Sequence, residues 1–429
     1  MGNVCCSSKN DLPQPKNNEE VSRIKGALDK NSCNSIFRSL PRRETTNLDS
    51  FKNIIKQKTN GLSDKEKAYV LFLWVCDNIS YDVDAYFAGR DVQCEPEDVF
   101  RNGITVCSGY ARLYQNIGQY IGLDIQCVNC YSKGVGYEPG DNLTSTNHEY
   151  NIIKLDNKYY PIDCTWGSGN IEKKRFKKKL NEFYFLANPE LLINTHFPAN
   201  DMWQLTKRKY TLQEFLNWPQ VKETFYSYGF NRYLPSQGLI ELNSNAQKFT
   251  IWGDNISQNN ANCNVYLLQG NTYYEQANAT KIDFYRDRIE FNCIFNKKGR
   301  YKVELFSNSD KGETTYDIMT YIVNAHNDNS YELNYPRSFA GASDVQIIEP
   351  EYDNIRSGQN VKFKFKTDSP EIDTLIIIDG QWNYLNKDPN GYFEKDITIQ
   401  SRPGTDLVVG KRKENNDLKC SYLYSYRVK

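Results

Sequence analysis

Along this chain of 429 residues the hydrophobic period changes from that of helices to that of strands, and the change confines the protein to more than one kind of core. Ala68, Leu71, Val75 and Ile79, then Ala111, Tyr114, Ile117 and Ile121, recur at helical spacing, as one apolar face requires. From about Leu239 the repeat is two. Ile289, Phe291, Cys293 and Phe295 alternate with polar neighbours, as do Tyr301, Val303 and Leu305, and Val361, Phe363 and Phe365 against Lys362, Lys364 and Lys366. Such alternation marks strands with one buried face. A chain of this length exceeds what one core usually serves. The expected division is a flexible tether over 1–45, bearing Pro13, Pro15 and Pro41, an α+β domain over 46–220, and two antiparallel β-sandwich modules over 235–327 and 335–429.

Within the α+β domain, Ser63 and Glu66 have the spacing of a capping box for the first periodic helix. Cys107 opens the second, and Gly122 stands where it would stop. A thiol at a helix N-terminus faces unpaired N–H groups and the positive end of the macrodipole, which favour the thiolate and can also hold an oxyanion. Gly103 and Gly109 flank it, and glycine would let a substrate carbonyl approach the backbone.

His148 to Leu155 and Lys158 to Asp163 read as two strands joined by a two-residue turn at Asp156-Asn157. That turn fixes parity. With Leu155 facing Lys158, His148 falls opposite Thr165 and diagonal to Asp163, all on one sheet face. The carboxylate could then fix the imidazole tautomer and leave the other ring nitrogen to take a thiol proton. Each residue also has a commonplace reading. A cysteine at a helix start is often a small buried hydrophobe, a strand histidine a satisfied core residue, and an aspartate after a strand a turn cap. Together, flanked by glycines and linked by hairpin parity, Cys107, His148 and Asp163 point to thiol acyl-transfer chemistry.

These islands, Val106-Cys107-Ser108-Gly109-Tyr110-Ala111, Asn147-His148-Glu149-Tyr150-Asn151 and Pro161-Ile162-Asp163-Cys164-Thr165-Trp166-Gly167, resemble the transglutaminase-like superfamily. The likeness extends through Asp77-Asn78-Ile79-Ser80-Tyr81-Asp82 upstream and Asn188-Pro189-Glu190, Thr195-His196-Phe197-Pro198 and Trp203-Gln204-Leu205 downstream. Within it the sequence is most similar to the kyphoscoliosis peptidase and hillarin-like group. The resemblance implies a papain-like or transglutaminase-like core followed by Ig-like modules, Cys107 as nucleophile, His148 as base, Asp163 as orienting acid, and protein substrates near the cytoskeleton. Tyr150 stands where that family commonly has an indole, a swap that keeps a flat apolar face. Some superfamily members have lost the nucleophile and act as binding domains, so a catalytically idle scaffold is the rival reading.

The 53 basic and 53 acidic residues cancel, which argues against a general nucleic-acid binder. No run approaches the roughly 18 apolar residues of a membrane-spanning helix. Met1-Gly2-Asn3-Val4-Cys5-Cys6 looks like a myristoylation site at Gly2 with palmitoylatable Cys5 and Cys6, although Cys6 occupies the usual Ser or Thr position. Two lipids would anchor the chain stably, so the expectation is a cytoplasmic, membrane-associated protein. Six basic residues among 173–179 read as a solvated loop, or as added attraction to anionic lipid if they face the membrane. The remaining cysteines are scattered, and Cys127-Val128-Asn129-Cys130 has no second pair, so no metal, cofactor or disulfide framework is expected. His196 reads as the end of a helix begun at Asn188-Pro189, and His326 as a loop residue.

Overall fold

The structure, a computed structural model, describes residues 25, 26, 28–254, 256, 260–308, 315–327, 333–339, 341–413 and 416–429. The chain divides into two compact units, up to Glu223 and from Thr224 onward. Gly2, Cys5 and Cys6 lie outside the described residues.

In the first unit the Ser63/Glu66 capping box starts the helix Asp64–Asn78 as expected. Its apolar surface is wider than the single face read from the sequence, because Ala68 through Cys76 are all buried. The extra sides are filled by Tyr69, Phe72 and Trp74, the last with its ring 4.0 Å from Phe51 and 5.4 Å from Phe100. The Cys107–Tyr120 helix packs beside it, and Tyr114 and Tyr110 donate hydroxyl hydrogen bonds to the carbonyls of Ala68 (2.9 Å) and Ile79 (2.8 Å). Residues 28–45 depart from the expected tether. Asp29 caps a helix Lys30–Ser39, Leu28, Cys33 and Leu40 join the core, and the Trp74 indole donates to the Pro41 carbonyl at 2.9 Å. Prolines at the margins obscured three apolar residues that cover the central helix.

A four-stranded antiparallel sheet lies against these helices in the order Lys158–Ile162, His148–Leu155, Asp124–Ser132, His196–Pro198. Asp156 and Asn157 both have positive φ, 49° and 61°, as a two-residue type I′ turn demands. Leu155 therefore faces Lys158, and the register runs unbroken to Asn151 opposite Ile162. Pairing ends there. Asp163 turns into a short helix, Cys164–Ser168, instead of continuing the strand towards Thr165.

The second unit is all β in its strands. One sandwich sets Phe230–Leu234, Ala246–Gly253, Arg288–Ile294 and Thr280–Phe284 against a sheet containing Tyr316–Ala325, Gly299–Ser307 and Ala261–Gln269, so it begins before the expected residue 235. The other pairs Asn360–Lys366 with Tyr392–Thr398. Val361, Phe363 and Phe365 enter its core, while Lys362 and Lys364 reach Glu394 on the outer face.

A chain beginning at residue 46 would leave the central helix uncovered on one side. Losing the buried Leu28, Cys33 and Leu40 removes several kcal/mol of apolar contact, and the first unit should melt about 5–10 °C lower by circular dichroism.

Candidate active site

Thr105 sits beside Tyr81 in a short parallel bridge, and the chain enters the Cys107 helix two residues later. Val106 occupies the N-cap, and no side chain accepts from the first turn. A helix start without a side-chain cap leaves its N–H groups for another acceptor. The thiol is partly accessible. Gly103 and Gly109 serve packing rather than substrate approach, which corrects their expected role. A Cβ on Gly109 would lie 2.0 Å from the Thr105 hydroxyl oxygen, and Gly103, at φ +68°, ends the preceding helix with Arg43 against it.

His148 begins its strand directly opposite the buried Cys130. Its neighbour Asn151 donates to the Ala111 carbonyl at 3.0 Å, tying the strand to the Cys107 helix. His148 Nε2 lies 2.6 Å from Asp163 Oδ2, which leaves Nδ1 for the thiol. Asp163 Oδ1 accepts from the Trp166 N–H at 3.0 Å and so caps its helix. With the hydrogen bond between the Cys107 thiol and His148, the structure brings Cys107, His148 and Asp163 together.

A second imidazole completes the site. His196 is fully buried and places Nε2 3.0 Å from the same Asp163 oxygen, with Nδ1 2.8 Å from the Thr195 hydroxyl. Neutral His196 meets both contacts by donating from Nε2 and accepting from Thr195 at Nδ1. The sequence reading placed it at a helix end; it lies instead on the edge strand His196–Pro198, opposite Ser132. Trp166 packs 4.5 Å from the His196 ring and 5.8 Å from that of His148, and Tyr150 stands edge-on to His196 at 5.6 Å.

Charge follows from this geometry. Burial presses the Asp163 carboxyl up, but the His148 charge and the hydrogen bonds of both imidazoles outweigh it and hold it well below the usual carboxylate range. Burial alone would lower His148; the Asp163 carboxylate, then the thiol, reverse this and raise it to about 10. Burial likewise opposes the Cys107 thiolate, yet the hydrogen bond and charge of His148, with the Glu149 backbone, bring that thiol below its ordinary value. His196 moves down, through burial and despite Asp163. The site thus favours carboxylate at Asp163, imidazolium at His148 and neutral His196, and moves Cys107 towards its thiolate.

His148, Asp163 and His196 are also spaced so that a metal could be considered, their donor atoms lying within 4.8 Å of one another. The 2.6 and 3.0 Å nitrogen–oxygen distances are hydrogen-bond lengths, and protons already satisfy the carboxylate oxygen that zinc would need at about 2.0–2.2 Å. The donor set fits a hydrogen-bonded triad better than a metal. Cys127 instead lies 3.3 Å from the Gln115 side-chain oxygen, and Cys130 is sealed in the sheet.

A core of this architecture with a helix-borne thiol and a strand-borne histidine defines a transglutaminase-like domain, and residues 52–164 match the transglutaminase-like superfamily model. Residues 212–336 match the KY-like, immunoglobulin-like domain. Residues 52–164 are thus a transglutaminase-like domain and residues 212–336 a KY-like, immunoglobulin-like one, and the chain is similar to kyphoscoliosis peptidase and hillarin. It is 34% identical to kyphoscoliosis peptidase of Mus musculus over 192 residues, 44% of this chain and 29% of that protein. Hillarin of Drosophila melanogaster is 25% identical over 198 residues, covering 42% and 24%. Lim and transglutaminase domain protein ltd-1 of Caenorhabditis elegans is 24% identical over 197 residues, covering 42% and 27%. The chain thus matches less than a third of the length of these relatives.

Iodoacetamide labelling of Cys107, followed by mass spectrometry across pH, should show a midpoint below 9.0, the ordinary thiol value. In His148→Asn the cation is gone, burial dominates, and the midpoint should rise above that of the wild type. His196→Phe should raise it less, because Asp163 still holds His148 but has lost one of its donors.

Proposed function

We propose that the protein is a cysteine-dependent acyl-transfer enzyme acting on protein substrates. The observation that carries the reading is the His148–Asp163 hydrogen bond beside a helix-start thiol whose pKa is lowered. Cys107 Sγ would attack a carboxamide or peptide carbonyl, forming a C–S bond and a tetrahedral oxyanion that first-turn N–H groups can hold. As the C–N bond breaks, the departing amine takes its proton from His148 Nδ1. Water or a lysine amine then attacks the thioester, giving its proton to His148 and returning the thiolate. Water makes the enzyme a peptidase or amidase, which the kinship with kyphoscoliosis peptidase favours; an amine makes it a crosslinker. Asp163 keeps His148 in the one tautomer and orientation this sequence needs.

The same reading places the protein in the cytoplasm, held at membranes by myristate on Gly2 and palmitate on Cys5 or Cys6, with cytoskeletal proteins as substrates and the β modules as docking elements. Mass spectrometry of the native N-terminus tests the lipids, which should add one myristoyl and at least one palmitoyl mass.

Full-length protein incubated with dimethylcasein and dansylcadaverine should release new peptide termini or incorporate the dansyl amine, and hydroxylamine should trap the acyl group. Cys107→Ala should lose at least about 10³-fold of either activity. Activity unchanged by that substitution, or a wild type inert towards all substrates while binding cytoskeletal proteins, would leave the scaffold reading standing.

A further inference from the structure

The strand before Cys107 is bridged to Ser80–Tyr81, and that segment opens a surface of aromatic rings. Tyr81 and Tyr86 lie 5.9 Å apart, Tyr86 and Phe87 5.2 Å, and Tyr81 and Phe176 6.4 Å. Tyr86 and Phe87 are 44% and 46% exposed, unusual for rings that could have packed inward. Tyr86 reaches across to the Val135 carbonyl at 3.2 Å, so the cluster adjoins the loop that leads to His148.

Over these rings stands the hairpin Gly169–Glu172 and Arg175–Lys178. Lys178 pins it, donating to the Ile79 carbonyl at 2.8 Å, and Lys174 places its ammonium 5.4 Å from the Phe87 ring centre. Its two turn residues are Lys173 and Lys174, at φ 48° and 58°. Asn-Gly is the comfortable choice for such a turn, and lysine there accepts backbone strain while presenting charge. Lys173, Lys174 and Arg175 are exposed, and none has a carboxylate partner among the described residues. Nearby carboxylates are mostly committed: Glu172 to Lys177, Asp77 to Arg42, and Asp82 to capping the Val83–Ala88 helix, with Asp84 remaining.

We infer that this aromatic and basic face beside Cys107 binds an extended polypeptide segment whose acidic residues flank an aromatic or aliphatic side chain, and that it selects the acyl donor by that composition. The inference rests on the acyl-transfer reading for its chemistry, but the binding does not require turnover. An acidic peptide supplies charge for the three hairpin cations and an apolar side chain for the Tyr86 and Phe87 rings at neighbouring positions of one chain. An anionic bilayer also offers charge to the cations and an interfacial zone to the rings, and what favours the peptide is that the face adjoins the thiol through the Tyr81–Thr105 bridge.

The test uses full-length Cys107→Ala and two fluorescein-labelled peptides, Glu-Glu-Phe-Gln-Leu-Glu-Glu and its Lys-for-Glu counterpart, in an anisotropy titration. The acidic peptide should bind at least about tenfold more tightly than the basic one, and more weakly as salt rises. Lys173→Asn with Lys174→Gly removes two cations while giving the turn its preferred residues. That variant should keep or raise the melting temperature and lose binding about tenfold, and Phe87→Ser should weaken binding as well. Equal binding of both peptides, or binding untouched by the turn variant, overturns the inference. So does capture of phosphatidylserine vesicles, lost in the turn variant, without peptide binding. Charge-selective binding with no turnover in the wild type would sink the enzyme reading alone; turnover indifferent to flanking charge would sink this inference alone.

Discussion

One carboxylate oxygen organises the first unit. Asp163 Oδ2 receives hydrogen bonds from two imidazoles while Oδ1 receives the Trp166 N–H, so a charge taken wholly out of water is met by three donors. An unpaired buried carboxylate would neutralise itself instead. Because it stays ionised, His148 can remain a cation in the interior, and because His148 is a cation, a half-buried thiol can exist as thiolate. Each ionisation is costly alone and tolerable only in the set. That dependence explains why the base comes from a strand, the acid from the end of the next strand, and the second imidazole from a distant edge strand: a sheet fixes the distances between such groups more rigidly than a loop could.

Where local chemistry alone decided the geometry, the sequence was legible. Asp156-Asn157 between two apolar runs specifies a tight turn, the turn specifies parity, and parity puts His148 and Asp163 on one face. The capping box at Ser63 and Glu66 and the alternation of Val361, Phe363 and Phe365 against lysines are of the same kind, each read from residues a few positions apart. The pairing of Asp163 with His148 survives even though the strand stops at Ile162, because the short helix that Asp163 caps turns its carboxylate back towards the sheet.

What stayed hidden depends on contacts distant in sequence. His196 lies 33 positions from Asp163, on a three-residue strand that pairs with Asp124–Ser132, and nothing in Thr195-His196-Phe197-Pro198 announces that edge. The signal that could have found it is chemical: in a chain with three histidines, one followed by Phe and Pro is a candidate for burial, and a buried imidazole needs partners for both nitrogens. Residues 28–45 failed for a related reason. Leu28, Cys33 and Leu40 are too few to show a period, and they matter only because the Asp64–Asn78 helix is apolar on every side and needs a cover. The breadth of that helix was itself readable in Tyr69 to Cys76, where one apolar face is too narrow a description.

The edge strand of His196 is also where the domain joins its later segment. Lys133 N–H donates to the Thr195 carbonyl at 3.0 Å, directly beyond Ser132 opposite His196, and the Lys133 side chain is buried with its ammonium 2.9 Å from the Trp218 carbonyl and 4.5 Å from the Phe215 ring centre. Burial drives the pKa of that lysine well down, and the carbonyls and ring faces are what it has in place of a carboxylate. The segment 211–221 is therefore fastened to the residue next to the strand that supports Asp163. Lys133 thus meets Trp218 through its ammonium and Thr195 through its N–H, and the Thr195 hydroxyl lies 2.8 Å from His196 Nδ1. From Trp218 through Lys133, Thr195 and His196 to Asp163, the first unit is thus joined by contacts that no short stretch of sequence contains.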